Sequence, residues 1–244
     1  MKKIVVVSTN NNPDYYFFCP YIKKALAKDG WELAVLCTQD VDTKNIEADY
    51  VIQLPNIEGL RDATIAQASR LYAANYLPKD ALIMTSDMDL IPLSDYWHPS
   101  PDNVTVYGHD LTWHTYFPMG YVAMTQANWV QYLMCSMNTE RDMLRDAKEF
   151  PMAYSDKWEE WWNFDWHVLT QRLMPRKNSL TLIDRGQIDI AGATLAKGRV
   201  DRYNIQATLK QPNLIDMHAH NTSCNEPARL AEFLSIYESI HGKL

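Results

Sequence analysis

Ala81-Leu82-Ile83-Met84-Thr85-Ser86-Asp87-Met88-Asp89-Leu90-Ile91-Pro92-Leu93 is the stretch that decides how this chain folds. Its first five residues are apolar or β-branched with no polar alternation, the pattern of a short strand buried on both faces in a parallel sheet. Two carboxylates follow at once on what reads as a solvent-facing turn, and apolar character then returns. In open α/β sheets ligands bind beyond the carboxyl ends of the strands, where this pair falls. Carboxylates at i and i+2 can converge on one hard cation, and Mg²⁺ or Mn²⁺ accepts diphosphate oxygens beside them. The spacing alone is not diagnostic. The chain has 30 acidic residues and a second such pair, Asp40-Val41-Asp42, which reads as a loop with Asp40 near a nucleotide base.

Upstream, strand and helix alternate. Ile4 to Ser8 reads as a buried strand, Tyr16 to Lys28 as a helix stopped by Gly30, and Trp31 to Cys37 and Tyr50 to Leu54 as strands. Leu60 to Tyr76 has apolar or small residues at helical spacing and stops before Pro78. This order predicts an α/β fold with a mostly parallel, Rossmann-like central sheet and helices on both faces. Downstream, Val104 to Tyr107, Gly120 to Thr125, Leu180 to Ile183 and Asn213 to Met217 read as strands. Gln126 to Cys135, Glu140 to Glu149, Phe164 to Leu173 and Ala228 to His241 read as helices. The last helix places Leu230, Phe233, Leu234, Tyr237 and Ile240 on one face. Its polar face lacks the Lys/Arg of a membrane-surface helix, so it is expected to pack on the body. No repeat or linker divides the chain, and one domain over residues 1–244 is expected. Within it lie a nucleotide-binding part (about 1–97), an acceptor and metal-completing part (about 98–225) and a C-terminal helix (about 226–244).

With 244 residues, 47% hydrophobic and 22% charged, the chain can bury a substantial core. A net charge of -7 argues against a nucleic-acid surface, which needs clustered Lys and Arg. A phosphate-bearing ligand stays possible where a cation supplies local positive charge. The apolar run after Met1-Lys2-Lys3 is too short for a signal peptide, and no stretch approaches the ~20 apolar residues that span a bilayer. Cys19, Cys37, Cys135 and Cys224 form no CxxC pair and read as reduced packing residues, which points to a cytoplasmic protein. The glycosylation-like triplets at Asn103 and Asn221 then carry no meaning.

The run from Ala68 to Trp97, ASRLYAANYLPKDALIMTSDMDLIPLSDYW, resembles the central block of the GT-A glycosyltransferases, in particular the glycogenin and bacterial galactosyltransferase type. Three later segments resemble that family's pattern in the same order. Phe117 to Met124 is similar to its "Asn-x-Gly" strand, with Pro118 where the Asn usually stands. Asn163 to Leu169 is similar to its acidic helix start. Leu214 to Asn221 is similar to the last strand, whose His completes the metal site. The resemblance implies a hexosyltransferase using a nucleoside-diphosphate sugar, UDP-linked, with Mn²⁺ or Mg²⁺, and a glycan or other hydroxyl acceptor. It implies that Asp87 contacts ribose and metal, that Asp89 is the main metal ligand, and that Arg70 lies near the donor sugar or phosphates. It implies too that Thr9 and Asn10, with Thr38 to Asp40, cradle the nucleoside.

The remaining candidates come from the residues themselves. His218 and His220 are two apart on an extended segment, so both side chains face one way and either can supply an imidazole to a cation held by Asp87 and Asp89, His218 ahead by its place. Trp158, Trp161, Trp162 and Trp166 put four indoles in nine residues, fit for stacking on sugars or for the core; Trp162 and Trp166 are the acceptor candidates. Asp165 either serves the helix N-terminus or activates or orients the acceptor hydroxyl. His109, Asp110 and His114 are a further polar group expected near the acceptor. Two rivals stay open: a HAD-like phosphatase, whose D-x-D also follows a strand, and a non-catalytic nucleotide- or carbohydrate-binding module. Neither accounts for the His pair together with Asp165.

Overall fold

The computed structural model describes residues 1–112, 115–190, 192–220 and 225–244, without the side chains of Thr112, Trp158 and Glu159. Of the residues singled out above, His114, Asn221 and Cys224 lie outside the described residues. In chain order the strands are β1 (Lys2–Thr9), β2 (Trp31–Cys37), β3 (Tyr50–Gln53), β4 (Ala81–Thr85), β5 (Leu90–Pro92), β6 (Thr105–Tyr107), β7 (Val122–Thr125), β8 (Thr181–Ile183), β9 (Gln187–Ile190), β10 (Ala193–Ala196), β11 (Arg199–Asp201) and β12 (Asp216–His218).

The central sheet runs β3-β2-β1-β4-β7-β6-β8. Strands β3, β2, β1 and β4 are parallel, β7 is antiparallel to both neighbours, and β8 is parallel to β6. This is the mostly parallel α/β sheet that the alternation predicts. β1 shows why both faces are covered. Ile4 and Val6 pack on one side with Ile65, Leu71, Trp129 and Leu169, while Val5 and Val7 pack on the other with Phe18, Ile22, Phe233 and Tyr237. Helices therefore flank both faces, and each such side chain contributes roughly 1.5–3 kcal/mol by leaving water. The C-terminal helix, Pro227–His241, buries Phe233, Ile236 and Tyr237 against the body as expected. No helix among the described residues is long and apolar enough to cross a membrane. Cys19, Cys37 and Cys135 are buried, and burial pushes their thiols up to about 12, about 11 and about 12, so they act as packing groups.

A second, three-stranded sheet, β11-β12-β5, sits over the carboxyl end of β4. β12 is antiparallel to β5, placing His218 opposite Leu90, and the Ala219 amide donates to the Asp89 carbonyl at 2.9 Å. Strands this short carry no periodicity, which is why the last strand falls at 216–218 rather than 213–217. Several helix bounds also differ from expectation. The segment 16–28 divides into Pro13–Tyr16 and Cys19–Ala27, because Pro20 opens a new helix. The segment 60–76 is α-helical over Asp62–Ser69 and tightens into a 3₁₀-helix over Arg70–Asn75. The β9–β10 hairpin and β11 were not anticipated. Their cue was the spacing Gly186, Gly192 and Gly198, each with positive φ at a reversal.

Candidate functional site

The strand order reverses at β1 and β4, and a cleft of about 440 Å³ opens at their carboxyl ends. Ser8, Thr9 and Asn10 line one side of it as β1 ends. Asp87 and Asp89 line it as β4 ends. The turn between them is fixed from three directions: the Ser86 amide donates to the Val6 carbonyl at 2.9 Å, the Leu90 amide to the Asp87 carbonyl at 3.2 Å, and the Tyr121 amide to the Thr85 carbonyl at 2.7 Å. Gly120 passes so close that a Cβ there would stand 3.5 Å from Asp87 Oδ2 and 3.3 Å from Leu90. The two carboxylates are not equivalent. The Asp87 side chain is 42% exposed, whereas that of Asp89 is only 10% exposed and so does not face solvent.

Behind Asp87 lies a buried charge relay. Arg70, at the junction of the α and 3₁₀ segments, donates from Nη1 to Asp87 and to the Ser86 carbonyl (2.9 Å), and from Nη2 to Asp165 at 2.8 Å. Asp165 is 0% exposed and also accepts from the Trp166 amide at 2.8 Å. Burial pushes the Asp165 carboxyl up to about 6; Arg70 pulls it down and Asp87 pushes it up again. Burial works against the Arg70 charge too, but Asp87 and Asp165 outweigh it and raise its pKa. Asp165 is absent from the cleft lining. Its carboxylate reaches Arg70 and does not line the cleft where an acceptor hydroxyl was expected to meet it. It stands in the first turn of the helix Phe164–Leu173, after the N-cap position Asn163, and so occupies the helix N-terminus as one of its two expected roles required.

Asp89 has its own partners. Arg202 Nη1 donates to its Oδ2 at 3.1 Å, His218 Nε2 stands 3.4 Å from the same oxygen, and Arg202 Nη2 contacts His218 Nε2. Burial opposes the Asp89 charge, but His218 and Arg202 prevail and hold its carboxyl below the ordinary range. His220 does not join this group. β12 ends at His218, so the two-residue alternation stops there, and the His220 ring lies 3.2 Å from Arg229 Nη1 and edge-on to Tyr203. Two carboxylates and one imidazole facing one cleft suit Mn²⁺ or Mg²⁺ in kind. As arranged, arginines hold both carboxylates, and among the described residues no three His, Cys, Asp or Glu side chains gather closely enough to grip an ion.

Trp162, 43% exposed, and Trp166 give the cleft an aromatic wall. Other expected residues fall elsewhere. Thr38 is buried, with its amide bonded to the Thr9 carbonyl at 3.1 Å, and Asp40 is exposed; neither lines the cleft. Asp110 accepts from the Arg185 and Gly186 amides, both at 2.9 Å, and so braces the turn before β9; His109 is buried near Phe117. Neither lines the cleft, so the acceptor role expected for them is not supported by their placement. Arg202 and Tyr203, which do line it, were not anticipated. Nor was the fully buried Asp216, which takes paired hydrogen bonds from Arg185 (2.7 and 2.8 Å) and Arg199 (3.0 and 3.0 Å). These two arginines overcome the burial that would raise Asp216 and hold it far below the usual carboxylate range, anchoring the strand that carries His218.

No protein-family model matches the chain, and no curated protein sequence matches it. Solved structures do. The galactosyltransferase LgtC in complex with donor and acceptor sugar analogues aligns at 11% identity over 99% of this chain and 96% of that one, with a TM-score of 0.54. An active-site mutant of LgtC aligns at 13% identity over 99% and 100%, with a TM-score of 0.52. The apo-form glycosyltransferase GlyE of Streptococcus pneumoniae TIGR4 aligns at 12% identity over 99% of this chain and 62% of that one, also with a TM-score of 0.52. At such identities the likeness speaks for architecture and not for single residues. Over nearly its whole length, this chain has the fold of the GT-A glycosyltransferases.

Proposed function

We propose that the protein is a hexosyltransferase that moves a sugar from a UDP-linked donor to a hydroxyl of a glycan or similar acceptor, with Asp87, Asp89 and His218 holding Mn²⁺ or Mg²⁺. The observation that supports this most is the convergence of those three side chains and Arg70 on one cleft, at the point where the strand order reverses. A bound cation would neutralise the charge that develops on the departing diphosphate. The protein's own residues do the positioning. Thr9 and Asn10 border the cleft beside the D-x-D, where a nucleoside would lie. Arg70 holds Asp87 in place and presents a fixed positive charge beside the reacting centre, and Asp165 fixes Arg70 from behind. Trp162 and Trp166 offer indole faces to the C–H faces of a sugar.

UDP is expected to raise the melting temperature only when Mn²⁺ or Mg²⁺ is present. At a hundredfold excess over Kd, linkage gives about 2.7 kcal/mol of stabilisation. Differential scanning fluorimetry with and without EDTA decides it, since equal stabilisation in EDTA is incompatible with a metal bridge. Phosphate-ester hydrolysis without nucleotide preference would instead favour the phosphatase reading.

The two histidines should separate. His218→Ala is expected to raise the Mn²⁺ concentration for half-maximal activity by on the order of tenfold or more, and His220→Ala to leave it nearly unchanged. The reverse order, or no change in either, removes His218 from the ligand set.

A further inference from the structure

Arg202 is the residue that keeps the D-x-D/His group from being open to a metal. It follows β11 in a turn held by Asp201, whose carboxylate accepts from the Tyr203 amide at 3.0 Å and whose carbonyl accepts from the Asn204 amide at 3.0 Å. From there its guanidinium touches Asp89 Oδ2 and His218 Nε2 together. Those are the atoms a cation at this site would need. A guanidinium and a divalent ion cannot share them, because both charges are positive and each fills the space. The Arg202 side chain is 18% exposed on the cleft, and its buried Nε finds no hydrogen-bond partner among the described residues. Its Nε is thus left unmet, while Nη1 serves Asp89 and, at 3.4 Å, the Ala219 carbonyl, and Nη2 faces His218.

Charge balance gives this arrangement a purpose. Counting Asp165 behind Arg70, the carboxylates of Asp87, Asp89 and Asp165 are set against only two guanidinium groups, Arg70 and Arg202, so carboxylates outnumber arginines around the cleft. A diphosphate entering that cleft is repelled. We propose that Arg202 is an exchangeable counter-ion: it neutralises Asp89 and covers His218 Nε2 when no metal is present, and turns onto the diphosphate when a divalent cation takes those two atoms. This rests on the metal reading above and adds what the chain itself contributes. A released guanidinium presents a planar fork of donors matched to phosphate oxygens, on a tether already at the cleft wall. Metal and nucleotide then bind cooperatively, because each removes a cost the other would meet.

The test is Arg202→Gln, with Asp89→Asn defining which Mn²⁺ binding belongs to the site. Electron paramagnetic resonance of free Mn²⁺, without nucleotide, is expected to show Asp89-dependent affinity rising on the order of tenfold in Arg202→Gln. UDP affinity at saturating Mn²⁺ is expected to fall on the order of tenfold. These opposite signs would not arise from a merely structural role, which weakens both. Arg202→Lys is a second arm: it keeps the positive charge but loses the planar fork of donors, so smaller changes of the same two signs are expected. Mn²⁺ affinity that is unchanged or weaker, or UDP affinity that is unchanged or tighter, overturns the proposal. Failure of the metal reading shows separately, as UDP binding in the unmodified protein that is indifferent to chelator.

Discussion

Asp89→Asn is expected to lower turnover by on the order of 10²–10³ while leaving a cooperative thermal transition. The substitution keeps the shape of a side chain that is 10% exposed and removes only its charge, which faces Arg202 and His218. Folding should tolerate it, and the small cost has a sign that can be checked. The Asp89 carboxyl is held below its ordinary range, so its ionised form stabilises the folded protein above the unfolded pKa. That stability is lost as pH falls through the folded value. The deficit of Asp89→Asn is therefore expected to be largest near neutral pH and to disappear in acid. Melting curves across pH, beside initial rates with a panel of UDP-sugars, measure both. A fully active variant, or one with no folded state, contradicts the assignment.

Arg70→Met is expected to be the most damaging single change to stability, at about 3–5 kcal/mol, because it leaves Asp165 buried without its cation. For a chain of this size that corresponds to a fall in Tm of roughly 6–20 °C. Its deficit runs in the same direction with pH as the one just given, for a different reason. The Asp165 carboxyl is raised to about 6 even with Arg70 present, and removing the residue that pulls it down raises it further. A raised acid stabilises the folded state when protonated, so the variant should recover stability as pH falls through this further raised value and lose it as pH rises. Asp165→Asn in the Arg70→Met background should restore most of the loss at neutral pH. Additive losses in the double variant, with a flat pH profile, would show that the two residues are not coupled.

The parts of this molecule that were legible in its sequence are those written locally. Ala81 to Thr85 are five residues in a row that need burial, and a parallel strand is the element that buries them all. The carboxylates that follow it inherit their place from that strand. What could not be read depends on segments that meet only in space. Asp165 looks the same in sequence whether it faces solvent, a sugar or Arg70. Its burial is decided by the packing of the Phe164–Leu173 helix against the one that carries Arg70. Pairing His220 with His218 requires extended backbone to continue, and the strand stops two residues short of it. Asp89 is covered because β12 arrives beside β5, and strands of three residues leave no alternation to detect. Arg202 follows a single buried valine, Val200, in a stretch with no other distinguishing feature.

The pairing of β12 with β5 also bears on the order in which this site is assembled. Asp87 and Asp89 belong to the first half of the chain, and β1, β2 and β4 can associate around them through contacts of modest sequence separation. Arg202 and His218 lie in the last fifth, and only the docking of β11 and β12 brings them to Asp89. Closing a loop of more than half the sequence must be met before those contacts repay it, so this step comes late and slowly. A nascent chain released after β8 would hold both acidic residues of the turn, and neither the arginine nor the imidazole that balances Asp89. Asp87 would already have Arg70, but Asp89 would stand without a counter-charge until β11 and β12 have been made. Completion of the binding cleft is thereby tied to the arrival of a segment 113 residues downstream of Asp89.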